Sequence, residues 1–122
     1  MPCVATIGFF DGVHRGHQFL IGCVKQIARG RNLDSVIITF PVHPRMVMQP
    51  GFQMPLLSTP EEKHRMLEAQ GVDRIVELPF TMELSQYTAR EFMVEVLQRR
   101  LCVDTLVIGY DHRFGHNRSE GF

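Results

Sequence analysis

Four short stretches of mostly apolar, β-branched residues recur along the chain: Val4-Ala5-Thr6-Ile7, Ser35-Val36-Ile37-Ile38-Thr39-Phe40, Arg74-Ile75-Val76-Glu77-Leu78 and Thr105-Leu106-Val107-Ile108. Their apolar character is largely continuous rather than alternating, which is the pattern of strands buried on both faces and predicts a parallel sheet. Between the first two, Phe19, Leu20, Cys23, Val24, Ile27 and Ala28 fall at the i, i+1, i+4, i+5, i+8, i+9 spacing of one helical face, with Gly30 near its end. Thr59, Pro60 and Glu62 spell a capping box with proline at the first helical position, predicting a second helix that runs toward Gly71. Thr88 and Glu91 repeat the box ahead of Phe92, Met93, Val96, Leu97 and Leu101. The order βαβαβαβ with short connections implies right-handed crossovers and a doubly wound α/β sheet covered on both sides.

The longest irregular stretch, about Pro41 to Ser58, holds four prolines and several methionines. Loops of that length in compact domains are more often functional than idle, so it is a candidate substrate loop.

A chain of 122 residues fits one domain with one core. Its 44% hydrophobic and 21% charged residues place it among globular proteins and away from disordered or fibrous ones. Thirteen basic residues balance thirteen acidic ones, so no global field draws the protein to nucleic acid or to an anionic membrane, and any phosphate chemistry must be local. Cys3, Cys23 and Cys102 are odd in number and scattered without a CxxC pair, which argues against a disulfide framework or a zinc ribbon. No apolar run approaches the ~18 residues a membrane span needs, and the expected compartment is the cytoplasm.

Ligands of open parallel sheets sit beyond the carboxyl ends of the strands, so the residues at each strand's exit decide the chemistry. After the first comes Gly8-Phe9-Phe10-Asp11-Gly12-Val13-His14-Arg15-Gly16-His17, after the second Phe40-Pro41-Val42-His43-Pro44-Arg45, and after the fourth Gly109-Tyr110-Asp111-His112-Arg113-Phe114-Gly115. His14 and His17 are three apart at the start of a helix, so both imidazoles can face whatever sits at that terminus. The terminus itself offers free N–H groups and roughly half a positive charge. Gly16 clears space for a phosphate near the backbone, and Gly8 and Gly12 permit the tight turn. Two imidazole donors and a helix terminus can stabilise the charge that builds on a phosphorus under attack without acting as nucleophiles. Against this stand blander readings: an HxGH tetrapeptide arises often by chance, His43 taken singly is an ordinary loop histidine, Asp11 can simply cap the turn, and His64 is a solvated helix residue. A structural zinc site would need four ligands, and no metal ligand set is expected. Neither GxGxxG after the first strand nor GxxxxGK[ST] is present.

GFFDGVHRGH after an initial strand resembles the HxGH nucleotidyltransferases, and specifically the FMN adenylyltransferase module of prokaryotic bifunctional FAD synthetases (riboflavin kinase/FMN adenylyltransferase). The likeness extends through TFPVHPRMVMQP at 39 to 50, LSTPEEK at 57 to 63, GVD at 71 to 73, LPFT at 78 to 81 and GYDHRFGHNRSEG at 109 to 121. It implies a Rossmann-like fold and adenylyl transfer from Mg-ATP to FMN, giving FAD and pyrophosphate, with ATP and FMN as small-molecule partners and Mg2+ accompanying ATP. By the same resemblance His14 and His17 stabilise the transferring phosphate. Gly8, Phe10, Asp11, Gly12 and Gly16 shape the ATP loop, and Phe40, His43 and Pro44 line the flavin side. Asp111, Arg113, Phe114, Gly115 and Arg118 contact nucleotide or flavin.

Val42 departs from the usual proline of that family, Phe9 from asparagine and His112 from phenylalanine. The family's Ser/Thr-rich second motif and its riboflavin kinase barrel would lie beyond residue 122, so the resemblance implies the N-terminal part of a single nucleotidyltransferase domain, incomplete at its C-terminus, and weak or absent turnover by this chain alone. Other HxGH adenylyl- or cytidylyltransferases, acting on pantetheine phosphate, nicotinamide mononucleotide or a phosphorylated alcohol, and a non-catalytic flavin or nucleotide-binding module remain the alternatives.

Overall fold

Successive side chains of a strand point to opposite faces of its sheet. In the computed structural model, which describes residues 2–49, 51–53 and 55–109, that alternation sorts the interior into two layers. Among the described residues the sheet has four parallel strands, β1 (Cys3–Gly8), β2 (Asp34–Thr39), β3 (Arg74–Glu77) and β4 (Val103–Leu106), in the order β3-β2-β1-β4. On one face Cys3, Ala5 and Ile7 of β1 and Val36 and Ile38 of β2 pack with Phe92, Val96 and Leu97. On the other, Val4 meets Val24 and Ala28, and Ile37 meets Ile21 and Leu67. The arrangement is the doubly wound, Rossmann-like sheet that the apolar runs predict.

Helix α1 (Arg15–Arg31) links β1 to β2, and after a short helix α2 (Pro44–Met48) the chain enters α3 (Pro60–Glu68), which leads to β3. A single turn α4 (Met82–Ser85) precedes α5 (Ala89–Glu91), which continues through Phe92–Arg100 in wider i→i+5 turns before β4. Both capping boxes form: Thr59 Oγ1 accepts from Glu62 N–H while Glu62 accepts from Thr59 N–H, and Thr88 and Glu91 do the same. Among the described residues no helix is long and apolar enough to cross a membrane.

Two local expectations are revised. Phe19 does not belong to the buried face of α1; it is 76% exposed, while Val24 and Ala28 of the predicted face are buried, Leu20 and Ile27 pack against the core, and Ile21 joins the interior at i, i+3 and i+7 with Val24 and Ala28. The stretch from Pro41 to Ser58 is not wholly irregular, because Pro44 opens α2 with the Nδ1 of His43 accepting from Arg45 N–H at 3.0 Å. Leu84 and Ser85 of α4, a turn without an apolar period long enough to read, are buried.

At the amino ends of the strands, Asp73 takes the N–H of Ser35 at 2.8 Å and its hydroxyl at 3.1 Å, while Asp73 N–H donates back to Ser35 Oγ at 3.0 Å. The backbone bond from Ser35, followed by its hydroxyl, holds the Asp73 carboxyl below the usual value. The GVD motif thus joins β2 to β3 at the end of the sheet opposite the loops that carry the histidines. Asp73→Ala is expected to lose about 1–2 kcal/mol in urea unfolding at neutral pH. Because the folded pKa is depressed, that loss should shrink as pH falls through the folded carboxyl's titration; a loss independent of pH would refute the assignment.

Candidate functional site

From β1 the chain steps outward to β2 and β3 with α1 and α3 on one face, then returns to the other side of β1 as β4 with α5 on the opposite face. The reversal falls between β1 and β4, and a crevice at the carboxyl ends of such strands is where open α/β sheets bind ligands. The end of β1, the loop leaving it and the first turn of α1 at that point hold Gly8, Phe10, Asp11, Gly12, His14, Gly16 and His17, so the fold brings this group of expected site residues together.

His14 is the residue before α1 and His17 lies in its first turn. Their rings stack, with centroids 3.5 Å apart and planes 23° from parallel. The His14 side chain makes no hydrogen bond to the first-turn N–H groups, and the first turn carries no acidic residue, so neither the cap side chain nor the turn itself offsets the positive end of the helix. Gly16 has a direct steric role: a Cβ there would come within 3.3 Å of the His14 ring. Phe10 is 4% exposed; its ring meets His17 edge-on at 5.1 Å and lies where a Cβ on Gly8 would come within 3.2 Å of it. Gly12 has φ +76°, and a Cβ there would sit 2.9 Å from Leu57.

The Asp11 carboxylate reaches across to the segment before α3, accepting from Leu57 N–H at 2.7 Å and from Ser58 N–H and hydroxyl at 3.1 Å each. Gly12 N–H donates to the same Ser58 hydroxyl at 3.2 Å. Desolvation works to raise the Asp11 pKa, but the Leu57 N–H, then the Ser58 hydroxyl and N–H, with Lys63 nearby, hold it below the usual value. Asp11 therefore organises the loop as an anionic hub.

Burial first, and then the neighbouring His14, push the His17 pKa down to about 4, against a smaller upward pull from Asp11. The ring is neutral at neutral pH. Its Nδ1 is buried and has no hydrogen-bond partner among the described residues. A neutral imidazole presents one N–H donor and one acceptor, and an anion arriving against the stack would favour the protonated form.

The loop after β2 approaches the first through Phe9, whose ring meets His43 edge-on at 5.1 Å. His43 and Pro44 sit half-buried at the start of α2. Phe40 does not join them at a surface: it is 2% exposed and packs edge-on against Phe80 at 5.7 Å, so its ring supports the loop from within rather than lining it. Lys63, to which the sequence motifs assign no role, lies between the two loops. Its Nζ donates to the carbonyls of Phe9 at 3.0 Å and Phe40 at 2.9 Å and stands 3.9 Å from the Phe9 ring centroid. A signal is nonetheless present in the sequence, since Lys63 closes the LSTPEEK motif and is one of only two lysines. Asp111, Arg113, Phe114, Gly115 and Arg118 lie outside the described residues. Among the described residues no group of three or more His, Cys, Asp or Glu side chains could hold a metal ion.

A Rossmann-like parallel sheet with paired histidines where its first helix begins, at the point of strand reversal, defines an α/β domain of the open-sheet class. A family model described as FAD synthetase matches residues 1–122, and the chain belongs to that family. It is 36% identical over 120 residues to a bifunctional riboflavin kinase/FMN adenylyltransferase of Escherichia coli K12, covering 98% of this chain and 38% of that protein. A relative of the same description from Listeria monocytogenes is 35% identical over 119 residues, covering 97% of this chain and 37% of that protein. Among solved structures, one described as a macrolide-efflux protein from Streptococcus pneumoniae superposes with a TM-score of 0.84 at 29% identity, over 96% of this chain and 39% of that one. The chain thus spans well under half the length of these relatives.

A histidine held neutral binds fewer protons than the unfolded chain between its folded and unfolded titrations, so stability rises with pH across that interval. Acidification from pH 6.5 to about 4 is expected to cost the wild type more stability than His17→Gln. The difference should be on the order of 2 kcal/mol, allowing for the ring's partial contact with water. Urea titrations of both proteins at several pH values check this, and parallel curves would contradict it.

Proposed function

We propose that this chain carries the adenylyl-transfer site of a protein that converts ATP and FMN to FAD and pyrophosphate. The observation that carries the reading is the stacked His14–His17 pair at the entry to α1, beyond the carboxyl end of β1. The description shared by the E. coli and Listeria relatives supports it.

In the reaction an oxygen of the FMN phosphate forms a bond to the α-phosphorus of ATP. The bond from that phosphorus to the bridging oxygen of the β-phosphate breaks, and its electron pair leaves with pyrophosphate. Charge builds on the non-bridging oxygens between these events, and donors preorganised around them lower the barrier. His14 and His17 supply such donors next to the N–H groups of α1. Gly8, Gly12 and Gly16 keep the backbone and the His14 ring close to the nucleotide, while Phe10 and Asp11 hold the loop's shape. Mg2+ in phosphoryl chemistry is bound largely by substrate phosphates, and in this reading it arrives as part of the ATP substrate.

His43 and Pro44 form the flavin side in this reading, with Phe9 beside them and Phe40 as internal support. Asp111, Arg113, Phe114, Gly115 and Arg118 complete the nucleotide and flavin contacts. In this reading the protein works in the cytoplasm, where ATP is plentiful.

The full-length protein, given labelled ATP, is expected to adenylylate FMN in preference to pantetheine phosphate or nicotinamide mononucleotide, with residues 1–122 alone showing little turnover. His17→Ala should lower kcat by about 10²–10³-fold with modest change in affinity for either substrate. Preference for another acceptor would overturn the substrate assignment, and undiminished activity in the variant would overturn the role of the histidine.

A further inference from the structure

We propose that Lys63 is a positioning residue of this site, its ammonium clamping the loop that follows β1 to the loop that follows β2 and so fixing the nucleotide and flavin sides relative to each other. The inference rests on the adenylyl-transfer reading for its kinetic consequence, while the clamp itself rests on geometry alone.

Lys63 belongs to the first full turn of α3, and its side chain is only 4% exposed. Thr59 and Glu62 fix the start of that helix through the capping box, and Lys63 N–H donates to Thr59 O at 2.9 Å. The side chain is therefore launched from a defined point. Its Nζ ends 3.0 Å from the carbonyl oxygen of Phe9 and 2.9 Å from that of Phe40. These carbonyls belong to the first residues after β1 and β2. Two neighbouring strands of a parallel sheet are tied by the sheet's own hydrogen bonds up to Gly8 and Thr39 and no further. Beyond that register the backbone needs another fastening, and the Thr39 hydroxyl, donating to Phe9 O at 3.1 Å, and Lys63 provide it.

Each loop transmits this fastening to a histidine. The Phe9 ring, under the ammonium at 3.9 Å, meets His43 edge-on at 5.1 Å. The next residue, Phe10, holds a left-handed backbone with φ 55° and places its ring against His17, also at 5.1 Å. One buried cation thus sits one residue from the support of His17 and one ring from His43. In a two-substrate transfer, misplacement of the reacting groups by about 1 Å can cost 10²-fold in rate, and this is the tolerance that the clamp would set. Asp11 and Glu77 are the carboxylates whose charge acts on the ammonium, and Asp11 in addition ties the same loop to the segment preceding α3.

The test compares Lys63→Met with wild type and with Lys25→Met in the full-length protein. Lys25 also donates to a carbonyl, that of Gln70, but lies away from the loops and serves as the control. At a temperature where circular dichroism shows all three folded, Lys63→Met is expected to lower kcat for FMN adenylylation by about 10–100-fold. KM for ATP and FMN should move by much less, and Lys25→Met should match wild type. In the imidazole NMR spectrum the His17 and His43 resonances should shift together in Lys63→Met, a readout independent of any substrate. A folded Lys63→Met protein with wild-type kcat and unmoved histidine resonances would overturn the proposal. If the wild type proves to adenylylate something other than FMN, the acceptor assignment fails, and the coupled histidine shifts still decide the clamp.

Discussion

A lysine ammonium taken out of water must recover the interactions it loses, and at Lys63 that requirement shapes the carboxyl edge of the sheet. The charge is met by two carbonyl oxygens and an aromatic face. Burial depresses its pKa while Asp11 and Glu77 act the other way. Because both carbonyls belong to residues just past the ends of hydrogen-bonded strands, satisfying the cation and holding the loops are one arrangement. The short, directed hydrogen bonds allow little freedom to either loop.

The first loop is also under backbone strain. Phe10 at φ 55° and Val13 at φ 43° occupy a region that non-glycine residues enter at a cost of roughly 1–2 kcal/mol each. Such conformations persist only where surrounding contacts over-determine them. Here Phe10 is buried over Gly8 and beside His17, and Val13 is 3% exposed with its carbonyl taking the Gln18 side chain at 2.9 Å. Asp11, between them, is fastened to Leu57 and Ser58. The loop is held in the form that lets His14 fold over His17, and the missing side chain at Gly16 leaves room for it.

The motifs shared with the FAD synthetase family separate by position. The glycine- and histidine-rich run and the loop after β2 lie at the carboxyl edge, and LSTPEEK braces both from below through Leu57, Ser58 and Lys63. GVD sits at the opposite end, where Asp73 and Ser35 tie β2 to β3. A motif can therefore be characteristic of the family while contributing only to the frame, and the distinction depends on which end of a parallel strand it adjoins.

The parallel α/β architecture, both capping boxes and the gathering of His14, His17 and His43 at one edge were legible in the residues, because strand runs, helix starts and strand exits are set by local patterns of apolar and capping groups. The predicted face of α1 holds at Val24 and Ala28, with Leu20 and Ile27 packed against the core, while Phe19 is exposed and Ile21 is buried, since Phe19 and Ile21 differ in the neighbours each meets and not in hydrophobicity. That Phe40 turns inward, that the two imidazoles stack, that His17 is held neutral and that Lys63 is buried between two loops were decided by the tertiary structure. Each depends on groups distant along the chain being brought within a few ångströms, where desolvation and hydrogen-bond geometry act, and no local spacing encodes that meeting.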